Sequence, residues 1–501
     1  MVFSDLFFLF VFIPAFALCY MLGGLFDRWI ARGQAVKSHH VKNAMLVVFS
    51  LIFYAWGEPM YVFLMLVSVL LNYVAGRIID GQQRHRRKAL VGGLVCNLLI
   101  LATFKYAGFF AEALNSLGLA IPVPHIALPI GISFYTFQSI SYLVDVYRRE
   151  SPAQRRFADL LLYISMFPQL IAGPIVRYGT IAEEINNRHV TASDLSDGIY
   201  RFLIGLGKKV ILANQFSEIV DQFLVDGLGS LTTSGAWIGI TAFTLQIYFD
   251  FSGYSDMAIG MGRCMGFHFK ENFNHPYCCD SITDFWRRWH ISLGSFFRDY
   301  VYIPMGGNRR HQAWNIMVVW MLTGMWHGAS WNFIIWGLYF GIIVMTEKYT
   351  LLRLPYYTKK KSAPSSLTSS NSSNSWYHFS SLIFRLYSLL LVVTGWGIFY
   401  FDDFSQMGVF FNAYVGRAQS LHDFVTTSAL TDNFWLWLTA IVFCMPVRKF
   451  VATQFDRHVA NRRFKTKMVF ATRTLLSVVL FVASVALLVG ATNNAFIYTR
   501  F

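Results

Sequence analysis

The chain has 501 residues, of which 55% are hydrophobic and 14% charged, with a net charge of +15. Its mean hydropathy is +0.45, which is too apolar for a set of soluble domains of this length. Apolar runs recur from one end of the chain to the other, so the sequence predicts an all-α polytopic membrane protein. The basic residues are divided among short loops rather than gathered on one face, which argues against nucleic acid as a partner.

The membrane segments follow one another along the chain. Eight apolar runs are the clearest: Leu6–Leu25, Ala44–Trp56, Tyr61–Ile79, Leu90–Phe110, Trp314–Met325, Phe333–Met345, Leu382–Tyr400 and Val469–Gly490. Four more, 129–146, 160–176, 197–213 and 234–266, are interrupted by Gly, Pro or polar residues. Broken helices at membrane depth are tolerated only inside protein or along a wet cavity. We therefore expect 11–13 transmembrane or re-entrant helices. The first run lacks a basic flank and is predicted to be a retained helix, not a signal peptide.

The loops alternate between basic and uncharged or acidic. Basic residues cluster at Arg28–Lys42, Arg84–Lys88, Arg148–Arg156, Arg353–Lys361 and Arg448–Lys467. The turns at Gly57–Pro59, 111–128 and Asp402–Asp403 are poor in Lys and Arg. By the positive-inside rule, the basic loops are predicted to be cytoplasmic. The N-terminus and the closing Tyr498–Phe501 are then on the opposite side of the membrane.

One polar segment interrupts the membrane pattern. Ser362–Ser375 is a low-complexity run of Ser and Asn that cannot bury apolar surface, so a flexible linker is predicted at 362–376. It would divide a core of residues 1–350 from C-terminal membrane helices at 377–501. The six cysteines form no CxxC pair, which argues against a disulfide framework.

Two histidines lie in polar, tryptophan-rich breaks of the apolar sequence. His290 is within SITDFWRRWHISL and His327 within LTGMWHGASWNF. A titratable ring at membrane depth is costly, and histidine can accept and return a proton near neutral pH. We interpret both as functional residues. No third metal ligand stands beside either one at helical spacing, so no metal is predicted.

The segment 267–313 mixes basic and aromatic residues. It is too polar to span the membrane and too aromatic for a solvated loop, which favours a partly buried or interfacial position. Arginine binds phosphate, and aromatic rings can stack on a nucleobase. Four arginines are therefore candidate ligands of a phosphate-bearing donor: Arg287, Arg288, Arg298 and Arg309. Three carboxylates nearby, Asp250, Asp256 and Asp284, are expected to pair with Arg177, Arg263 or the arginines at 287–288.

Nine ordered motifs identify a family resemblance. They are FYAWGEP (53–59), LPIGISFYTFQ (128–138), FPQLIAGPIVRY (167–178), GLGKKVILAN (205–214), QIYFDFSGYSDMAIG (246–260), NFNHPY (272–277), TDFWRRWHISL (283–293), FRDYVYIPMGGNR (297–309) and TGMWHGASWNF (323–333). The chain resembles the bacterial branch of the membrane-bound O-acyltransferase family, and within it the membrane subunits of alginate O-acetylation. His327 matches the family's invariant histidine, and His290 matches its second histidine.

The resemblance implies a helical fold crossed by a tunnel in a bacterial inner membrane, with an acyl donor on the cytoplasmic side and an acceptor on the periplasmic side, where both termini are then expected. Acyl transfer needs a base and an oxyanion donor in a dry passage. His327 is predicted to be the base. Candidate N–H donors to substrate are His290, Trp326, Trp331 and Asn332. We expect no permanent cofactor, acetyl-CoA as donor, an exopolysaccharide such as alginate as acceptor, and a periplasmic SGNH-type acetyltransferase as partner.

Other functions stay open at this point. Within the family, the acceptor could be peptidoglycan or cellulose, or the enzyme could pass D-alanine toward teichoic acid. The long block after residue 362 favours acetylation over the shorter D-alanyl branch. Outside the family, a transporter or flippase would use the histidines in a proton relay, but neither spaced ionisable residues nor a clear internal repeat is found. A non-catalytic scaffold would have dispensable histidines.

Overall fold

A computed structural model describes residues 2–31, 39–81, 83–171, 173–354, 356–357, 375–447, 451 and 462–491. Throughout these ranges the regular structure is helical, as predicted, and no strand occurs. Residues 362–374 of the predicted linker, 452–461 of the last basic cluster and Tyr498–Phe501 lie outside the described residues. The predicted domain boundary at 362–376 and the periplasmic C-terminus therefore stay predictions.

Twenty α-helices are present in the described residues. In chain order they are α1 (Ile13–Ile30), α2 (His40–Gly57), α3 (Tyr61–Gly81), α4 (Arg86–Asn115), α5 (Ile132–Arg148), α6 (Phe157–Ser165), α7 (Phe167–Leu170), α8 (Tyr178–Asn186), α9 (Ala192–Gly207), α10 (Asn214–Val220), α11 (Thr233–Met265), α12 (Ile282–Arg288), α13 (Ile291–Phe297), α14 (Gln312–His327), α15 (Trp331–Tyr349), α16 (Ser375–Tyr400), α17 (Phe404–Tyr414), α18 (Phe424–Thr431), α19 (Phe434–Cys444) and α20 (Arg462–Val489). Short π-helical and 3₁₀ turns extend several of them, such as Phe8–Phe12 before α1.

Six of these segments are long and apolar enough to cross a bilayer. They are Phe8–Ile30, His40–Gly57, Tyr61–Gly81, Gln83–Asn115, Phe379–Tyr400 and Lys467–Val489. Only 11–39% of each apolar window is buried inside the protein. Six of the eight predicted runs are thereby confirmed as candidate spans, and the chain is a multi-pass membrane protein. The other two predicted runs form α14 and α15.

The chain divides into two compact units. The first contains residues 1–211, 250–271 and 472–501, and the second contains residues 212–249 and 272–471. In the first unit, Phe8, Phe12 and Phe53 pack their rings around Phe167 at centroid distances of 5.5–6.4 Å. The aromatic cluster joins the N-terminal helices to the short helix α7, in the motif FPQLIAGP.

Helices α9 and α11 approach each other closely through glycines in the first unit. A Cβ atom at Gly205 would lie 2.5 Å from the carbonyl oxygen of Gly253, and one at Gly198 would lie 2.7 Å from that of Gly260. A methyl group does not fit at such distances, so these glycines allow the two backbones to touch. The glycines of the motifs GLGKK and FSGYSDMAIG are thus explained by helix packing.

The carboxylates Asp250 and Asp256 of α11 are paired, as predicted, but with other cations than those expected. Buried Asp250 lies 2.8 Å from Lys209, and Asp256 lies 2.8 Å from Arg201 and 2.7 Å from Lys208. Arg263 instead contacts Asp194 and Asp197. These partners could not be predicted from the sequence, because α9 and the residues that follow it contact α11 only in the folded unit. In the second unit, Asp284 pairs with Arg288 at 2.9 Å, one of the predicted partners.

Helices α14 and α15 form the tightest pair of the second unit. A Cβ at Gly324 would lie 2.2 Å from the carbonyl oxygen of Phe333, and one at Gly337 would lie 2.5 Å from that of Trp320. The two glycines face each other, so the helices cross in direct backbone contact. This close crossing holds the turn between the helices, at residues 328–330, in a fixed place.

Candidate active site

His327 is the last residue of α14. Its side chain is buried, with 5% of the residue exposed. The helix ends there because Gly328 continues in an extended conformation. A Cβ at Gly328 would lie 2.2 Å from the ring of Phe333, so the glycine of the WHG motif is required by close approach, not by its backbone angles.

Aromatic rings surround His327 on several sides. Its ring centroid lies 4.7 Å from that of Trp326, 5.0 Å from that of Trp336 and 5.2 Å from that of Phe399, all edge-to-face. Trp336 is fully buried and also contacts Trp396. Such packing fixes the orientation of the imidazole and keeps water from it, which is the environment that a general base in acyl transfer needs.

His290 occupies a different kind of position, between α12 and α13. Its backbone is left-handed, with φ of 45°, an uncommon conformation for a residue with a side chain. The residue is 2% exposed, and Asn272 and Ser292 lie within hydrogen-bond distance of its Nδ1 atom. It lies outside the six candidate spans, and burial lowers the pKa of its imidazole to about 3. The ring is therefore neutral at physiological pH.

The structure brings the two histidines together at one tryptophan. Trp326 contacts His290 at a centroid distance of 5.5 Å and His327 at 4.7 Å. The residues are 37 positions apart in sequence (327 − 290), and the connecting chain includes α13 and α14. Both predicted catalytic histidines thus line one buried, aromatic site of the second unit.

A buried glutamate anchors the helix that leads to His290. The carboxylate of Glu347, on α15, accepts hydrogen bonds from the backbone N–H groups of Ile282 and Thr283, each at 2.7 Å. The Ser281 hydroxyl accepts a third, from Asp284 at 3.0 Å. The first N–H groups of a helix have no partner within it, so these bonds satisfy the start of α12 and attach it to α15.

The other predicted contacts of the site separate into buried and exposed residues. Asn332 is fully buried, but its amide donates to the carbonyl oxygen of Phe399 at 3.1 Å, which assigns it a role in holding α15 against α16. Trp331 is 52% exposed. Trp326 contacts both histidines.

The four candidate arginines lie on the surface or at its edge. Arg287 and Arg309 are exposed, whereas Arg288 and Arg298 are in ion pairs with Asp284 and Asp299. An ion pair at the surface contributes little to stability and can open to admit an anion. Donor binding by these arginines stays a prediction.

Four residues of the site were not singled out from the sequence. Asn272 stood within the motif NFNHPY, Trp336 and Trp396 within apolar helices, and Phe399 near the end of α16. A buried tryptophan in an apolar helix gives no sequence signal that separates it from a lipid-facing one. The asparagine did give a signal, because an uncharged amide next to aromatics must find partners when it is buried.

Comparison with known proteins assigns the family. Residues 147–390 match the model of MBOAT, the membrane-bound O-acyltransferase family. The chain is 39% identical to a probable alginate O-acetylase AlgI of Pseudomonas syringae pv. tomato, over 82% of this chain and 75% of that protein. The chain belongs to the membrane-bound O-acyltransferase family.

Two further relatives differ in the substrate that their names state. The chain is 36% identical to a peptidoglycan O-acetyltransferase of Helicobacter pylori, over 67% of this chain and 69% of that protein. It is 29% identical to a teichoic acid D-alanyltransferase of Bacillus subtilis, over 53% of this chain and 71% of that protein. The predicted family and enzyme class are confirmed: the protein is a membrane O-acyltransferase.

Proposed function

We propose that the protein moves acetyl groups from cytoplasmic acetyl-CoA across the bacterial inner membrane for O-acetylation of an exopolysaccharide, with alginate as the acceptor. The observation that carries the proposal is the pair of buried histidines at Trp326 in a multi-pass acyltransferase. The similarity to alginate O-acetylases covers more of this chain than the similarity to teichoic acid D-alanyltransferases, which favours acetyl over D-alanyl groups.

In this proposal His327 is the general base. It takes the proton of a nucleophilic hydroxyl on the periplasmic partner, the first acceptor, while the hydroxyl oxygen attacks the thioester carbonyl carbon of the donor. The carbon–sulfur bond of the tetrahedral intermediate then breaks, and the thiolate leaves with the proton that His327 held. A positioned histidine contributes about 10²–10⁴-fold to such a reaction. The donor phosphates are held by Arg287, Arg288, Arg298 and Arg309.

A periplasmic partner of SGNH type carries the acetyl group onward to the polymer. Reconstitution in liposomes tests this relay: purified protein receives labelled acetyl-CoA on its cytoplasmic face only, with polysaccharide on the other face. We expect label on the polymer only when the partner is added, and none with His327→Ala protein. Label on the polymer without a second protein contradicts the relay, and transfer only from donor on the polymer's own face contradicts transmembrane transfer.

Orientation is tested through α4, whose 30 residues reach about 45 Å, enough to cross a bilayer. In this proposal its two ends lie on opposite sides of the membrane, with the basic end cytoplasmic. Arg86 donates to the carbonyl oxygen of Tyr147, so the exposed neighbour Arg87 is the better probe. In a cysteine-free background, Arg87→Cys should resist impermeant thiol reagents in intact spheroplasts, and Leu117→Cys, 80% exposed, should react. The reverse pattern contradicts the proposed topology.

A further inference from the structure

Asn272 makes an unusually complete set of contacts with the segment around His290. Its side-chain oxygen lies 3.1 Å from His290 Nδ1, 3.2 Å from the backbone nitrogen of Ser292 and 2.9 Å from Ser292 Oγ. Its backbone carbonyl also accepts the N–H of Ile291 at 3.0 Å. Asn272 is 1% exposed. One buried residue therefore holds three consecutive residues, 290–292.

The contacts determine which atom of the Asn272 amide faces the histidine. The backbone nitrogen of Ser292 can only donate, so the amide group must present its oxygen at that position. An oxygen can only accept, and His290 Nδ1 must then carry the hydrogen. A neutral imidazole has one N–H and one lone pair, which leaves Nε2 of His290 as a hydrogen-bond acceptor.

The backbone of His290 adds a second, independent observation. A left-handed conformation at a residue other than glycine is strained and persists where surrounding contacts impose it. Here the contacts are those of Asn272 with residues 290–292, together with the bond from Asn274 N–H to the Arg288 carbonyl oxygen at 2.9 Å. Both the direction and the hydrogen placement of the imidazole are thus fixed.

We propose that Asn272 is a positioning residue that holds His290 as its Nδ1–H tautomer, so that His290 binds a hydrogen-bond donor group of the substrate and does not stabilise the oxyanion. The inference rests on the proposed function and changes the role expected for His290, which the sequence had presented as an N–H donor. The group recognised is an N–H or O–H, either an amide of the pantetheine arm of acetyl-CoA or the acceptor hydroxyl.

The test uses membranes of the producing strain, which contain the enzyme with its native partners, and measures the release of free CoA thiol from acetyl-CoA. Asn272→Ala removes the acceptor of the Nδ1–H and frees the ring to change tautomer. Loss of the correct tautomer lowers the reaction rate by up to about 10⁴-fold where a histidine is the base, and for Asn272→Ala, where the histidine only binds, we expect a rate about 10-fold lower. A higher KM for acetyl-CoA identifies the pantetheine amide, and a lower kcat at unchanged KM identifies the acceptor hydroxyl.

Three further variants separate positioning from a structural role. Asn272→Asp is isosteric and can only accept at the same place, so it should recover most of the rate that Asn272→Ala loses. Ser292→Ala removes one donor to Asn272 but keeps the bond between Asn272 and His290, and should lower the rate less than Asn272→Ala does. In a His290→Ala background, Asn272→Ala should have no additional effect, because its target is already absent.

Each outcome of these measurements either supports or overturns the positioning role of Asn272. The inference is wrong if Asn272→Ala lowers the rate equally in the presence and in the absence of the His290 side chain. It is also wrong if Asn272→Asp protein, at equal protein level, is as slow as Asn272→Ala protein. Because Asn272→Asp keeps the shape of the side chain, it tests the proposal even if Asn272→Ala does not accumulate. If His290→Ala and His327→Ala both keep full activity, the proposed function fails; if only the Asn272 variants are without effect, the failure is confined to the positioning role.

Discussion

The two histidines of the site are held by opposite means. His327 stands at the end of a regular helix and is enclosed by the rings of Trp326, Trp336 and Phe399. His290 stands on a left-handed backbone between two short helices and is oriented by Asn272. Packing fixes the plane of a ring without choosing its tautomer, whereas a hydrogen bond donated to a defined acceptor fixes both. The difference suits the two roles, because His327 must take and return a proton, whereas His290 must present one lone pair to the substrate.

The largest effect is expected at His327. His327→Ala should lower acetylation by about 10²–10⁴-fold, since the proton acceptor is lost, while the protein inserts and accumulates normally. The acetyl content of the polysaccharide measures the effect, and His125→Ala, which alters an exposed histidine, is the matched control. Near-normal acetyl content in His327→Ala protein contradicts the catalytic assignment.

The aromatic enclosure is tested at Trp336. Removal of its fully buried side chain in Trp336→Ala should cost about 3–5 kcal/mol of unfolding free energy and release the ring of His327. Trp336→Phe keeps an edge-to-face ring and should lose less stability and less activity. Denaturant unfolding in detergent and the transfer rate measure the two effects. If Ala and Phe variants have equal activity, packing by this ring does not orient the base.

The smallest effect is expected at Glu347, which anchors the helix that leads to His290. Glu347→Ala leaves the first N–H groups of α12 without their acceptor, which should cost about 1–3 kcal/mol. Glu347→Gln keeps one acceptor oxygen and should fall between wild type and Ala. The neighbour Thr346→Ala, whose hydroxyl bonds only within its own helix, is the control.

Thermal unfolding and activity together show whether α12 matters for His290. We expect the Glu347 variants to lose activity in step with stability, because α12 supports the backbone before residue 290. Full activity in Glu347→Ala protein of lowered stability would show that Asn272 alone suffices to place the histidine.

Parts of the architecture could be predicted because they depend on local composition. The spans near Tyr61–Gly81 and Gln83–Asn115 were recognised from length and hydropathy alone, since a segment facing lipid must satisfy its own backbone and expose apolar side chains. The runs at 314–325 and 333–345 were recognised as helices by the same rule, but their close crossing at Gly324 and Gly337 was not.

The sequence by itself determined the membrane class, the family and the two histidines, because hydropathy and short motifs are properties of consecutive residues. Only the tertiary structure decided that the histidines share Trp326, that Lys209 neutralises Asp250, and that Asn272 sets the tautomer of His290. Each of these depends on the direction of a side chain across a distance that sequence spacing does not encode. A buried polar atom must find its partner wherever the fold supplies one, and that choice is made by packing.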